Sequence, residues 1–194
     1  MGYGLLLNKK ILKNDNQGSL GEIGLLGLFF TAFYATFFHF FSPLSITINI
    51  FFHIVGCLFF FIYHKKFLKK LKDFEISAFF LSLLLALILF YAHKPNEDFG
   101  FYHLPYIVNF TNEKIIFGLS SLQVQQGWNS IWLNIHSAFV TPISDFKSVY
   151  ILNSIFFIYV FLIFSSEIIK KINSQNYNSK IIFYFFFLFL LFFV

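Results

Sequence analysis

The chain has 194 residues, of which 58% are hydrophobic and only 12% charged, with a mean hydropathy of +0.72. Soluble domains carry about 25% charged residues, so this balance excludes an ordinary soluble globular protein and points to one embedded in lipid. The net charge of +5 comes entirely from lysine, and because the lysines cluster beside apolar runs they report topology rather than nucleic-acid binding.

The first segment, 1–20, carries Lys9, Lys10 and Lys13 ahead of the apolar run 21–41. That run is too long for a cleaved leader and lacks a small-residue cleavage site. Its opening, GEIGLLG, spaces Gly21, Gly24 and Gly27 by three residues, a pattern that lets a second helix approach closely. Further apolar runs follow at 43–63, 74–92 and 148–166. Each approaches the roughly 20 residues that cross a ~30 Å hydrocarbon layer, and lipid offers backbone groups no partners, so each is expected to be helical. A fifth run, 181–194, reaches only about 22 Å as a helix, and the chain is expected to be the N-terminal fragment of a longer protein. The expected fold is therefore all-α: a polytopic transmembrane helix bundle with about five spans visible. Glu22, His39 and His53 are the strongly polar groups of the first two spans. Ionisable residues inside a membrane are functional candidates by default, although His39 stands near a helix end where it can reach the interface. Cys57 is the single cysteine, which leaves no intrachain disulfide.

Eleven lysines fall in the N-terminal segment, in the basic loop near 64–73, or between the fourth and fifth runs. Only Lys94, Lys114 and Lys147 fall in the loop 93–147. The positive-inside rule then puts the N-terminus in the cytoplasm and loop 93–147 outside, in a multi-pass protein of the inner (plasma) membrane.

At 55 residues that loop is too long for a simple connector. Its first part, HKPNEDFGFYHLPYIVNFTNEK, places Phe99, Tyr102, Tyr106 and Phe110 at helical spacing, with Asp98 able to cap the helix and Pro105 able to kink or restart it. Its second part, IIFGLSSLQVQQGWNSIWLNIHSAFVTPISDFKS, repeats Ile131, Ile135 and Phe139 at every fourth position and puts Asn129, Asn134 and His136 on other faces. Both are expected to be amphipathic helices at the outer interface, where Trp128 and Trp132 would anchor in the headgroups. Glu97 and Asp98 are neighbours and do not face one point on a helix. Held against aromatic rings at the membrane surface, one of them could act as a general base or ligate Mg²⁺ or Mn²⁺ on a phosphate. A helix cap and a solvated acid explain the same two residues. His93, His103 and His136 have no zinc-like spacing, and Lys94 and Lys114 are placed to meet a lipid phosphate or simply water.

The run DFGFYHLPYIVNF, followed by KIIFGLSSLQVQQGWNSIWL, resembles a pattern in bacterial polytopic proteins of a glycosyltransferase-like class. The matching residues are Asp98, Gly100, Tyr102, His103, Gly118, Leu119, Leu122, Gly127, Asn129, Ser130 and Trp132. More distantly the chain is similar to the GT-C superfamily of membrane glycosyltransferases, although its acidic loop follows the third visible span rather than the first. The resemblance implies transfer of a sugar from a polyprenyl-phosphate carrier to a cell-envelope acceptor. Asp98, with Glu97 beside it, would be the catalytic base or metal ligand, and Tyr102, His103, Lys94, Lys114, Trp128 and Asn129 would contact the substrate. The alternative is a non-enzymatic transporter, flippase or polysaccharide-polymerase-like component, in which Glu22, His39 and His53 would matter more. The loop assignment predicts that, with Cys57 replaced by alanine, Lys114→Cys reacts with a membrane-impermeant maleimide on intact cells. Lys69→Cys should react only after permeabilisation, and the reverse pattern would invert the topology.

Overall fold

The computed structural model describes residues 1–12, 18–69, 71, 73–92, 99–118, 121 and 130–173. The expected run 181–194 lies outside them, as do Lys94, Glu97, Asp98, Trp128 and Asn129. Among the described residues the protein is all-helical: α1 (Gly2–Lys10), α2 (Leu20–His39), α3 (Ile46–Leu68), α4 (Asp73–Ala92), α5 (Leu104–Asn112), α6 (Ile131–Ala138) and α7 (Ser148–Asn173). A π-helical turn, Phe99–His103, leads into α5, and a 3₁₀ turn, Asp145–Lys147, leads into α7.

Helix α2 starts where it does because Ser19 and Glu22 form a reciprocal cap. The Ser19 hydroxyl accepts from the Glu22 backbone N–H at 3.3 Å, and the Glu22 carboxylate accepts from the Ser19 N–H at 2.6 Å. This capping box satisfies two donors that a helix start leaves bare. The acid in the first span therefore has a local job at the helix end. Three helical stretches are long and apolar enough to cross a membrane: Leu20–His39, Ile46–Lys65 and Asp145–Lys171. The third expected span, 74–92, forms α4, whose apolar stretch, Glu75–Leu87, is shorter.

Helix α4 packs on α7, and α7 packs on α2. The buried face of α4 is Ala78, Ser82 and Ala86, one small residue per turn, which lets two backbones approach in the absence of a strong hydrophobic drive. The Gly21–Gly24–Gly27 pattern serves the same end twice. A Cβ at Gly21 would meet the Tyr159 carbonyl and Ile163, and one at Gly24 would strike the Tyr159 ring. At Gly27 it would meet the backbone of α1 instead. Thus α7 lies on one side of the glycine stripe and α1 on the other.

Helices α1 and α6 are both too short to span a bilayer, at about 14 and 12 Å. They enter the space beside α2 and α3 from opposite ends. Gly2 touches the Gly56 carbonyl, Gly4 touches the Ile23 carbonyl, and Leu5 packs with Ile23 and Phe67. At the other end, Leu133 packs with Tyr106, Ile107 and Phe110 of α5, Ile135 with Leu28, Ala32 and Leu152, and Ala138 with Ala35 and Leu44. Since Gly24 already sits against an aromatic ring, Gly24→Ala should lower stability by about 1–3 kcal/mol through overpacking. A Cβ at Gly100 meets nothing within 4 Å, so Gly100→Ala should move it by no more than about 0.5 kcal/mol. Thermal unfolding of the two variants in one detergent checks the contrast.

Candidate functional site: a buried short helix held by polar side chains

Helix α6 carries an amphipathic repeat, yet its polar positions face inward. Asn134 and His136 are 0% and 2% exposed, whereas Ile131 is 54% exposed. The expectation of a helix with its polar residues turned outward is thus reversed for α6. The reason lies in what surrounds it. Residues 133–138 are all buried, and an eight-residue helix ends in carbonyls that have no partner within the helix. In an apolar setting each bare carbonyl is costly, so the neighbouring helices must supply donors.

They do. From α3, Asn49 Nδ2 lies within hydrogen-bond reach of the carbonyls of Ser137 at 2.8 Å, Val140 at 3.0 Å and Leu44 at 2.9 Å. One helical turn further on, His53 Nε2 donates to the Ala138 carbonyl at 3.0 Å. From α2, His39 is 1% exposed. Its Nε2 donates to the Glu113 carbonyl at 3.0 Å, and its Nδ1 lies 3.1 Å from the Asn134 side-chain Oδ1. That second contact serves either state of the ring: a protonated Nδ1 donates to Oδ1, and a bare Nδ1 accepts from the amide once it is turned over. From α7, Asn153 Oδ1 accepts from the Trp132 indole N–H at 3.2 Å. The three long apolar helices therefore each contribute a polar side chain to one seat.

The chain around the seat is knitted to it by backbone bonds. Leu44 N–H donates to the Phe110 carbonyl at 2.8 Å and Ile115 N–H to the His39 carbonyl at 3.1 Å. Ser144 Oγ donates to the Phe139 carbonyl at 2.6 Å while accepting from the Thr141 N–H at 3.0 Å. Both described parts of the 93–147 segment are thus built into the helix bundle.

The residues singled out by sequence fare unevenly. Tyr102 and His103 are exposed and adjacent, at the end of the π turn. Pro105 occupies the first turn of α5, so the helix restarts there. Because a π turn is wider than an α turn, the Phe99–Tyr102–Tyr106–Phe110 face does not persist. Tyr106 and Phe110 are buried, Tyr102 is 42% exposed, and Phe99 turns to Tyr150 of α7. Lys114 is exposed just beyond the far end of α5 from Tyr102 and His103, about 14 Å of helix away, so the structure separates it from them. Among the described residues no three His, Cys, Asp or Glu side chains cluster as a metal site; Glu97 and Asp98 lie outside that set. Sequence reasoning flagged His39 and His53 but missed Asn49, although Asn49 and His53 sit one turn apart on one face of an otherwise apolar span.

Three apolar spanning-length helices around a polar-clamped short helix define an all-helical, membrane-associated protein. Over residues 1–194 the chain belongs to the family described as a domain of unknown function, DUF8201. No curated protein and no solved structure matches it.

Asn49→Leu keeps the volume of the seat but strands the carbonyls of Leu44 and Val140, while that of Ser137 keeps the Val140 N–H. It should cost about 2–3 kcal/mol and open residues 130–145 to proteolysis before the rest of the chain is cut. In a double-mutant cycle, His39→Ala with Asn134→Ala should couple by about 0.5–1.7 kcal/mol. Additive losses would show the pair to be idle.

Proposed function

We propose that this chain belongs to a GT-C-like glycosyltransferase of the cell envelope. It would transfer a sugar from a polyprenyl-phosphate carrier to an envelope acceptor, at the outer face of the inner membrane. The observation that carries the reading is the short segment that follows the acidic pair in sequence. Phe99–His103 is a π turn, a conformation found often at functional sites, and it leaves Tyr102 and His103 exposed beside each other. The turn is anchored to α7 through Phe99 and Tyr150 and continues into α5, which packs on the seated α6. A rigid support of this kind suits a loop that must hold reacting groups in register.

In this reading Asp98 is the general base on the acceptor hydroxyl, or holds a divalent cation such as Mg²⁺ or Mn²⁺, and Glu97 flanks it. Tyr102 and His103 contact the sugar, Lys94 offsets the departing phosphate, and Trp128 and Asn129 line the acceptor side. Lys114, at the opposite end of α5, meets the lipid headgroups instead. A translocation role is the less favoured reading, because the polar groups it would need have structural duties. Glu22 caps α2, and His39 holds Glu113 and Asn134.

The test is Asp98→Asn in the protein as the cell makes it, assayed for transfer of sugar from a polyprenyl-phosphate donor. Loss of a general base should lower the rate by about 10²–10⁴-fold at unchanged protein level. An unchanged rate overturns the assignment.

A further inference from the structure

Between the first turn of α1 and the last turn of α6 lies a cavity of about 300 Å³, at the small end of volumes that hold ligands. Among the described residues, no Asp, Glu or Lys side chain lines it, and burial pushes the Met1 α-amino group in its wall toward the neutral form. Glycine backbone at Gly24 and Gly56 and aromatic rings such as Phe139 form much of its wall. Two side chains in that wall, one on α3 and one on α7, face the cavity with hydrogen-bonding capacity to spare. With its ring neutral, His53 gives its one N–H, at Nε2, to the Ala138 carbonyl. Its Nδ1 therefore carries a lone pair, which meets no donor among the described residues. The Tyr159 hydroxyl also has no hydrogen-bond partner among them. The wall reaches the outside at Cys57, which is exposed, beside the exposed side chains of Ile54, Leu58 and Phe61 on α3. The approach is thus over a hydrocarbon-like surface.

We propose that this cavity binds an uncharged, membrane-soluble molecule bearing a single hydroxyl group. The hydroxyl donates to His53 Nδ1 and accepts from the Tyr159 hydroxyl, and the apolar body lies along the aromatic wall. A bare hydrocarbon chain would leave both protein groups unpaired in an apolar setting, which is costly. A cation would meet no acid there, and an anion would meet only an amine that burial drives toward its neutral form. The proposal does not involve Glu97 or Asp98, so it stands or falls separately from the transferase reading.

The probe is octanol carrying a photoreactive diazirine, applied to the full chain in lipid nanodiscs, with adducts mapped by mass spectrometry. Saturable labelling at residues 52–61 and 155–159 is expected, displaced by 1-octanol and not by octane. Tyr159→Phe removes only the hydroxyl and leaves the ring on Gly24, so it should fold normally. It should weaken 1-octanol competition about three- to ten-fold, the value of one hydrogen bond. His53→Leu should act in the same direction, but it also releases the Ala138 carbonyl. Labelling that never saturates and spreads over all lipid-facing side chains overturns the proposal. Equal competition by octane, or a Tyr159→Phe protein that folds and competes like the parent, overturns it as well.

Discussion

A backbone carbonyl with no donor is tolerable in water and expensive in an apolar interior. Most of the arrangement here follows from meeting that demand at one place, the C-terminal turn of α6. A helix that crosses the bilayer satisfies its carbonyls internally and leaves its loose ends in the headgroups. One of eight residues, wedged among longer helices, has no such refuge. Asn49 and His53 answer it from α3, and the positions of α3, of the turn at Leu44 and of the strap through Ser144 are tied to theirs. Apolar packing at Leu133, Ile135 and Ala138 then has a fixed frame to fill.

The glycines solve a complementary problem. Lipid is as apolar as leucine, so helices gain little by hiding hydrophobic surface from it and more by close backbone contact. Gly21 and Gly24 bring α7 against α2, and Gly2, Gly4, Gly27 and Gly56 let α1 slip between α2 and α3. The aromatic stack of Tyr3, Phe30, Phe52 and Tyr34 fills the remaining width, with Tyr34 and Phe52 centred 3.9 Å apart. Tyr3 also donates its hydroxyl to the Phe52 carbonyl at 2.7 Å, and burial pushes its phenol upward, away from ionisation.

Hydropathy alone was enough to place α2, α3 and α7, because a long apolar run has one stable form in lipid. The glycine spacing foretold close packing, though not that two different helices would share the stripe. The Ser19–Glu22 cap was also present in the sequence, as a serine followed three residues later by glutamate, but Glu22 looked like a membrane acid until its partner was seen. What the sequence could not convey was the seat of α6. Its partners are joined across 85 to 95 positions, and no local periodicity encodes such pairings. An amphipathic repeat declares two unlike faces without saying which of them meets protein. For α6, Asn134 turned inward because it met the His39 imidazole, a side chain as polar as itself. Asp98 and Glu97 lie outside the described residues, just ahead of the π turn Phe99–His103.

The distances along the chain at which α6 is fastened also bear on how the molecule is made. His39, Asn49 and His53 are synthesised long before the residues they hold, and Asn153 only afterwards. The short helix cannot settle until α2 and α3 are in place and α7 has emerged, so its docking belongs at the close of assembly rather than along the way. Until then, the newborn protein presents a half-empty groove and an unclaimed peptide. Cellular quality control could read that state directly as unfinished work.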